Sequence, residues 1–447
     1  MHQLPLPTRR PGTSADGFRA VTLSAVLAAL AALLPFRTDA QAQAPPQPPA
    51  PAARGGIGAN LEYPVLPIGT TLPDFNLPGV DGKTHKASEY SGKAIAIVFE
   101  SNHCPVSQLY EGRIEKLYAD YKNKGVTLVA INPNNPKTVR LDELGYTDVT
   151  DSLPEMKLRA QFRGIDWPYL YDGDTQGVSM QFGAVATPHI FIFDEQRKLR
   201  YQGRIDDNQR EELVKTQDAR NALDAILAGK PVPVAETRAF GCTTKWLSKA
   251  SGVEQEWARI QAEPVNVEMV DAAALKELRA NNTDKVMLIH FWSTGCALCM
   301  SEGEAGRGLL FELESTYRMY RKRAFNLVTV STNGPADAGA VLAVLKKGYA
   351  SSPNKQFASA DRAALQAAWG EKWNPSAPLT MVVAPGGNVL YRKEGKFDIL
   401  EVRRIILAAM PDTSGYIGSK AYWMRAVEET KKKRGTASEP AAAGAKR

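Results

Sequence analysis

Residues 286–300 read Val-Met-Leu-Ile-His-Phe-Trp-Ser-Thr-Gly-Cys-Ala-Leu-Cys-Met, and they carry the clearest structural signal in the chain. The nearly unbroken apolar run at the start predicts a central strand of a parallel sheet, covered on both faces. A Ser-Thr-Gly turn follows, and Cys296 and Cys299 come next with two residues between them. Apolar residues at helical spacing, among them Leu309 and Leu313, continue the pattern. The two cysteines are therefore predicted to lie where a strand passes into a helix.

This cysteine pair has the spacing and position of a dithiol that can open and close a disulfide. The start of a helix presents unpaired N–H groups and the positive end of the helix dipole, and both stabilise a thiolate. An inert disulfide and half of a zinc site are the alternatives, but zinc needs further Cys or His ligands at ligand spacing, and none lies nearby. Haem attachment needs a histidine after Cys299, where Met300 stands.

The turn from Phe291 to Cys299 resembles the active site of thioredoxin-fold proteins, particularly the exported TlpA-like and ResA-like thiol–disulfide oxidoreductases. The resemblance covers residues 265–410. It implies that Cys296 is the exposed nucleophile and that Cys299 resolves the mixed disulfide. That family also has a cis-proline opposite the dithiol, which Pro378 matches.

Two consequences of this resemblance concern the surroundings of the dithiol. Trp292, Ala377 and Pro378 become candidate substrate-binding residues. Thioredoxins keep a buried acid six residues before the first cysteine, whereas this chain has His290 at that position. As a histidine inside an apolar strand, His290 is expected to be buried beneath the dithiol.

Length and composition indicate a globular protein of more than one domain. A chain of 447 residues exceeds one ordinary domain, and 44% hydrophobic with 23% charged residues is a globular composition. The formal net charge is +7, with much of the excess in the C-terminal tail. Basic motifs interleaved with aromatic residues do not occur in the sequence, so a nucleic-acid partner is not expected.

Residues 1–42 have the features of an export signal. Arginines precede an apolar run from Ala20 to Pro35, and Ala40-Gln-Ala42 is a small-x-small cleavage site. The run is short for a membrane span, so no stable span is expected once the signal is removed. Ordinary secretion is favoured over twin-arginine export, which Arg9-Arg10 also suggests. A periplasmic or secreted location would place the four cysteines in an oxidising compartment.

A second strand, turn and cysteine occur in the first half of the chain. The apolar run Ala94–Phe99 is followed by Ser-Asn-His-Cys-Pro, which contains Cys104. This motif and the opening at 67–77 resemble the alkyl-hydroperoxide-reductase/thiol-specific-antioxidant (AhpC/TSA, peroxiredoxin-like) family, which has a β-hairpin ahead of its first central strand. Active peroxiredoxins carry a proline where Ile97 stands, and Ser107 occupies the second dithiol position. The resemblance therefore implies a single-cysteine relative.

The two halves of the chain repeat one another. Cys104 and Pro188 are 84 residues apart, Cys296 and Pro378 are 82 apart, and each proline precedes an apolar strand. Strands that alternate with helices predict the α/β class. We predict two tandem thioredoxin-like domains, each with a central mixed sheet flanked by helices. The predicted boundaries are a disordered Pro/Ala-rich linker at 43–60, a peroxiredoxin-like domain at 61–246, a connector at 247–264, a second domain at 265–410 and a C-terminal tail at 411–447.

Cys104 is the candidate reactive thiol of the first half, and a buried structural cysteine is the alternative. Cys242, which follows the last helix of that half, either pairs with Cys104 or stays free. The resemblance predicts that Pro188 is cis like Pro378, which makes Pro188 and Thr187 candidate substrate-binding residues.

Histidines accompany both predicted sites. His103 precedes Cys104 directly, and a histidine beside a thiol is expected to tune the pKa of that thiol. A copper site built from cysteine and histidine is the alternative. His189 lies next to Pro188, and a packed histidine remains the simplest reading of His290.

These observations predict an exported thiol–disulfide oxidoreductase that needs no cofactor or metal. Its expected partners are proteins with reactive thiols or disulfides, with a membrane redox donor as a further candidate. Two alternatives remain open at this point. The first half could act as a thiol-dependent peroxidase, or the chain could be a non-enzymatic binding or copper-handling protein.

Overall fold

A computed structural model describes residues 62–300, 308–374, 377–412 and 416–437, with side chains as far as residue 432. The strands are β1 (Asn76–Pro78), β2 (Thr84–Lys86), β3 (Ala94–Phe99), β4 (Val126–Asn132), β5 (Tyr169–Tyr171), β6 (Ala186–Thr187), β7 (His189–Asp194), β8 (Leu199–Gly203), β9 (Cys242–Thr243), β10 (Glu268–Val270), β11 (Val286–Trp292), β12 (Phe325–Ser331), β13 (Asn354–Phe357), β14 (Leu379–Val383) and β15 (Val389–Glu394). The helices are α1 (Pro105–Tyr121), α2 (Leu153–Arg163), α3 (Gly177–Phe182), α4 (Asp218–Leu227), α5 (Ser251–Ala262), α6 (Ala272–Ala280), α7 (Ala297–Met300), α8 (Leu309–Tyr320), α9 (Ala338–Lys347), α10 (Arg362–Trp369), α11 (Ile399–Ala409) and α12 (Ser419–Ala437).

The sheet of the first half has the order β5-β4-β3-β7-β8, with the apolar strand β3 at its centre. β3 runs parallel to β4 and antiparallel to β7. Every residue of β3 is buried because successive side chains point to opposite faces and helices cover both. Val98 packs in one core with Ile114 of α1, whereas Phe99 packs in the other with Phe182 of α3. The predicted hairpin ahead of this strand is formed by β1 and β2.

The sheet of the second half has the order β10-β13-β12-β11-β14-β15. Its central strand β11 runs parallel to β12 and antiparallel to β14, as β3 does with its own neighbours. Leu288 faces a core with Val402 and Ile406 of α11, and Phe291 faces the opposite core with Trp369 of α10. Both sheets are therefore mixed and flanked by helices, which confirms the predicted α/β thioredoxin-like fold.

The two halves pack into one compact unit from residue 61 onward. At their junction the carboxylate of Asp148 is buried between two arginines: its Oδ1 lies 2.6 Å from Arg159 Nη2 of α2, and its Oδ2 lies 2.6 Å from Arg404 Nε of α11. Burial alone would raise the pKa of Asp148, but the two guanidinium groups outweigh it and lower that pKa. A buried carboxylate between two cations thus links α2 of the first half to α11 of the second.

The segments predicted as a connector and a tail contain helices that the sequence analysis did not anticipate. α5 occupies most of the connector at 247–264, and α12 lies within the tail at 411–447. α12 packs on the first half, where Tyr422 donates a hydrogen bond of 2.7 Å to Glu111 of α1. The signal at 1–42 and the linker at 43–60 lie outside the described residues. Within the part of the chain that is described, no helix is long and apolar enough to cross a membrane.

We predict that α12 contributes several kcal/mol to stability through Trp423. Its indole is 0% exposed, lies 5.0 Å from the guanidinium of Arg159 and donates a hydrogen bond of 3.1 Å to the carbonyl of Tyr146. Trp423→Ala should lower the free energy of unfolding by about 3–5 kcal/mol because it leaves a cavity in a close-packed core.

Urea unfolding followed by circular dichroism measures this effect. Met424 is the matched control, since it is 53% exposed on the same helix. Met424→Ala should change the free energy of unfolding by no more than about 0.5 kcal/mol. Equal effects of the two substitutions would mean that α12 is not an integral part of the folded unit.

Candidate functional site

The cysteines of the second half form a disulfide at the start of a helix. Cys296 and Cys299 are bonded to each other, and α7 begins at Ala297. The backbone N–H of Cys299 donates a hydrogen bond of 3.2 Å to the sulfur of Cys296. Cys296 is the more exposed of the two, at 6% against 1% for Cys299. The dithiol thus occupies the strand-to-helix position that was predicted, and Cys296 is the more exposed cysteine of the pair.

His290 lies directly beneath this disulfide and is fully buried, which confirms the prediction of its burial. Its Nε2 is 4.0 Å from the sulfur of Cys299, and its Nδ1 is 3.0 Å from the hydroxyl oxygen of Thr380 on the paired strand. Burial lowers the pKa of His290 to about 3, because the charged imidazolium would lose its hydration there. The imidazole is therefore neutral near pH 7, and with so low a pKa it is a weak base.

The candidate substrate-binding residues around the dithiol differ in accessibility. Trp292 is buried and packs in one apolar cluster with both cysteines, so its side chain supports the dithiol from behind. Pro378 is buried and Ala377 is partly exposed, and the pairing of Phe291 with Leu379 places them at the same end of the sheet as Trp292. The exposed apolar residue is Leu298, which lies between the two cysteines and is 44% exposed. Sequence reasoning passed over Leu298 because an apolar residue at a helix start is ordinarily part of a core.

The prediction of two cis-prolines is correct for one position and wrong for the other. Among the peptide bonds of the described residues, Thr187–Pro188 is cis and Ala377–Pro378 is not. The surroundings of the two prolines differ, since β6 ends at Thr187 and pairs with β9, which returns from the end of the first half. In the described part of the second half, Ala377 belongs to no strand, since β14 begins only at Leu379. An X–Pro bond prefers trans unless its context fixes the other isomer.

Cys104 occupies the equivalent strand-to-helix turn of the first half. It is fully buried and forms the N-cap of α1, where its sulfur accepts a hydrogen bond of 3.4 Å from the backbone N–H of Ser107. The thiol also lies 3.1 Å from the carbonyl oxygen of Thr187, next to Pro188. The hydroxyl groups of Thr187 and Ser101 are 3.1 Å apart. Thr187 and Pro188 thus border Cys104, as the repeat suggested.

A buried ion pair lies beside Cys104, and the sequence analysis identified only half of it. His103 Nδ1 makes a short hydrogen bond to the Asp151 carboxylate, and both side chains are buried. Burial alone would lower the pKa of His103, but the Asp151 carboxylate outweighs burial and raises it. Burial alone would likewise raise the pKa of Asp151, and the charge of His103 lowers it instead. Sequence reasoning missed Asp151 because it lies in a loop 47 residues beyond the Cys104 motif.

The Asp151 carboxylate is held in place by further donors. It accepts hydrogen bonds from the backbone N–H of Asn102 at 2.8 Å, from Asn134 Nδ2 at 2.9 Å and from Asn132 Nδ2 at 3.2 Å. A carboxylate with this many donors favours its ionised form and keeps a fixed orientation. The orientation of the His103 ring is fixed in turn.

Cys242, near the end of the first half, also lies beside Thr187. It stands directly opposite Thr187 in the antiparallel pair of β9 and β6. Gly241 makes this approach possible, since a Cβ atom there would lie 2.1 Å from the carbonyl oxygen of Thr187. Cys242 packs against the same first-half core as Cys104, and both thiols are free. The structure thus brings together the two cysteines whose pairing the sequence left open.

The comparison with known families identifies the first half. Residues 68–202 match the AhpC/TSA family. This stretch is an AhpC/TSA family domain. The predicted relation of the first half to the AhpC/TSA family is thereby confirmed over these residues, and Cys104, His103 and Asp151 lie among them. Cys242 lies beyond its matched residues.

Several proteins that match part of the chain are named thiol–disulfide oxidoreductases. ResA of Geobacillus thermodenitrificans (strain NG80-2) is 26% identical over 139 residues, which are 31% of this chain and 70% of that protein. ResA of Geobacillus kaustophilus (strain HTA426) is 33% identical over 76 residues, 17% of this chain, and the match spans only 44% of that protein. An uncharacterized conserved protein of Geobacillus kaustophilus, known from a crystal structure, is 36% identical over 40% of this chain and 92% of that chain, with a TM-score of 0.36.

Metal binding was the alternative for the histidines and cysteines. Among the described residues, no group of three or more His, Cys, Asp or Glu side chains is arranged to hold a metal ion. The side chain of His189 contacts Gln202 and not a thiol, since its Nε2 is 3.0 Å from Gln202 Oε1. Burial lowers the pKa of His189 to about 4.

We predict that His290 makes the folded protein less stable in acid. Its pKa falls from an ordinary value of 6.5 to about 3 on folding, so between these pH values the unfolded chain binds a proton that the folded protein does not. Stability therefore falls as the pH falls through this window, by up to about 1.4 kcal/mol per pH unit for this one group.

Urea unfolding of the wild type and of His290→Gln at pH 4, 5, 6 and 7 measures this dependence. The His290→Gln curve should be flatter than that of the wild type, and His189→Gln should be flatter too, over the narrower window down to about pH 4. Parallel curves for wild type and His290→Gln would show that this histidine is not held neutral.

Proposed function

We propose that the protein is a thiol–disulfide oxidoreductase whose reactive dithiol is Cys296 and Cys299. The observation that carries the proposal is the closed disulfide at a helix start with the neutral imidazole of His290 beneath the inner sulfur. A disulfide at a helix start whose outer cysteine is more exposed than its inner one, at 6% against 1%, suits two-step exchange with an external thiol or disulfide. The similarity to ResA proteins supports the same class of reaction.

In the reduced protein, the Cys296 thiolate attacks one sulfur of a substrate disulfide. A Cys296–substrate bond forms, the substrate disulfide breaks, and the first substrate sulfur leaves as a thiolate. Cys299 then loses its proton to water and attacks the sulfur of Cys296. The Cys296–Cys299 bond forms and the second substrate thiolate leaves, so two electrons pass from the dithiol to the substrate. The protons of the two cysteine thiols end on the two substrate thiols. The reverse sequence oxidises two substrate thiols.

Leu298 and Ala377 provide the exposed surface beside this reaction centre, and they suit extended segments of protein substrates. We propose that these substrates are proteins with reactive thiols or disulfides in an oxidising compartment, to which the signal at 1–42 directs the chain. A redox donor in the membrane is a further proposed partner. Such a donor would keep the dithiol reduced for another round.

Substitution of single cysteines should separate the two steps of exchange. We expect Cys296→Ser to abolish exchange with a fluorescent derivative of glutathione disulfide, because no accessible thiolate remains. Cys299→Ser should still react once and stop at the mixed disulfide, since no thiol resolves it.

Mass spectrometry of the unreduced protein detects this adduct on Cys296, and Cys104→Ser/Cys242→Ser serves as the background so that the second cysteine pair is silent. Unchanged turnover in Cys296→Ser would refute the proposed function.

The low pKa of His290 limits its part in this reaction. His290→Gln should leave the first attack by Cys296 intact and change the lifetime of the mixed disulfide by less than about tenfold, because a histidine with a pKa of about 3 is too weak a base to take the Cys299 proton near pH 7. Rapid-quench alkylation followed by mass spectrometry measures this lifetime. Thr380→Val is a comparison variant, since it keeps the imidazole and removes its hydroxyl neighbour, and its effect should be no larger. A lifetime about a hundredfold longer in His290→Gln would show instead that His290 takes the proton.

A further inference from the structure

We propose that Cys104 and Cys242 form a second thiol–disulfide centre, in which an incoming thiol attacks Cys242 and Cys104 is the leaving thiolate. This centre is separate from Cys296 and Cys299 and goes beyond the function proposed for them. It takes small thiols and disulfides of the glutathione class, because Cys104 is fully buried and only Cys242 is partly exposed. The roles rest on the packing, charge and accessibility of the two sulfurs.

The first argument is the way in which the chain brings Cys242 to Cys104. The Cys104 thiol contacts the carbonyl oxygen of Thr187, and Cys242 is the residue paired with Thr187 on the neighbouring strand. Directly opposed residues in an antiparallel pair have Cα atoms about 4.5–5.5 Å apart. Cys104 and Cys242 therefore both adjoin Thr187, and both pack in the same first-half core. Formation of a disulfide requires their Cα atoms to come within about 7 Å.

The second argument is that the surroundings of Cys104 stabilise a negative charge on its sulfur. The N–H of Ser107 points at the sulfur from the first turn of α1, and His103, kept protonated by its pairing with Asp151, places a positive charge on the neighbouring residue. Burial alone would raise the pKa of Cys104, but the thiol of Cys242 and the charge of His103 outweigh it and lower that pKa to about 6 in the dithiol. When Cys104 leaves, Cys242 is bonded to the incoming sulfur and cannot donate, so the Ser107 N–H and the His103 charge are what favour Cys104 as the leaving thiolate.

The third argument concerns which sulfur can be reached. Cys242 is partly exposed, whereas Cys104 is enclosed by its own turn, by Thr187 and by Tyr416, which packs against the first-half core close to both thiols. An external thiolate can therefore approach the Cys242 side of a Cys104–Cys242 bond. Attack on Cys242 releases Cys104 as a thiolate, and the charge of the neighbouring His103 stabilises that thiolate.

The chemical step balances as follows. A thiolate RS⁻ bonds to Cys242 Sγ, the Cys104–Cys242 bond breaks, and Cys104 leaves as a thiolate. A second RS⁻ attacks the substrate sulfur of the mixed disulfide, so that RS–SR forms and Cys242 leaves and takes up a proton. Two substrate thiols are oxidised and the protein disulfide is reduced, with one proton released to solvent because Cys104 remains ionised. The reverse direction, with a small disulfide as oxidant, reforms the Cys104–Cys242 bond.

The test uses the full chain with Cys296→Ser and Cys299→Ser, so that the dithiol of the proposed function is silent. The protein is equilibrated in buffers of reduced and oxidised glutathione at pH 7, quenched and mapped as unreduced peptides. We expect one transition in which a crosslinked 104–242 peptide appears as both free thiols disappear. Two free thiols at every ratio, or a separate glutathione on each cysteine, would overturn the proposal without bearing on Cys296 and Cys299.

Asp151→Asn tests the role of the ion pair in the same background. Without the carboxylate, His103 loses its charge and the pKa of the Cys104 thiol rises, while the contributions of Cys242 and Ser107 remain. The equilibrium constant against glutathione should then shift at least about threefold, and at most about tenfold, toward the disulfide at pH 7, because ionisation stabilises the reduced form less. An unchanged constant in a protein with wild-type circular dichroism would exclude the positioning role of Asp151.

Asp172→Asn is the matched control for this substitution. Asp172 is also buried in the first half, and its carboxylate accepts hydrogen bonds from Ser179. Asp172→Asn should therefore leave the glutathione equilibrium within twofold of the parent. A shift as large as that of Asp151→Asn would attribute the effect to general destabilisation and overturn the assignment of Asp151.

Discussion

The arrangement of the two halves depends on one buried carboxylate. Asp148 is enclosed between Arg159 of the first half and Arg404 of the second. The side chains of Asp148 and Arg159 are 0% and 2% exposed, so water cannot hydrate either charge if its partner is lost. A buried pair of this kind adds little net stability, but removal of one partner costs about 3–5 kcal/mol. Asp148 therefore acts chiefly as a constraint on geometry, since few orientations of α2 and α11 satisfy both arginines at once.

The loop that contains Asp148 also supports the thiol site at Cys104. Three residues after Asp148, the carboxylate of Asp151 holds His103 beside Cys104. Two carboxylates of one short loop thus have different neighbours. Asp148 lies at the junction of the halves, and Asp151 lies at the turn that contains Cys104. Two Asn side chains and the backbone of Asn102 fix Asp151, so the loop has little freedom to move one carboxylate without the other. The packing of the halves and the electrostatics of Cys104 are coupled by this short covalent path.

Much of the fold could be predicted from the sequence because its central strands are uniformly apolar and followed at once by turns. The apolar runs at 94–99 and 286–292 form β3 and β11 with nearly the predicted bounds. The dithiol and the burial of His290 followed from local spacing for the same reason. Asp151 and α12 were missed because each gains its role through contacts distant in sequence, such as Arg159 with Tyr422, 263 residues apart. A pattern read within a short window cannot contain such contacts.

The position of α12 after both halves in the sequence has a consequence for the order of folding. Chains are synthesised from the N-terminus, and domains generally fold as units in that order. Here the outer faces of α1 and α2 acquire their partners, Tyr422 and Trp423, only after both halves have been synthesised. Part of the surface of the first half therefore stays uncovered until α12 has been translated. A ribosome-bound nascent chain that stops short of α12 would present this surface to chaperones, and a chain that includes α12 would cover it.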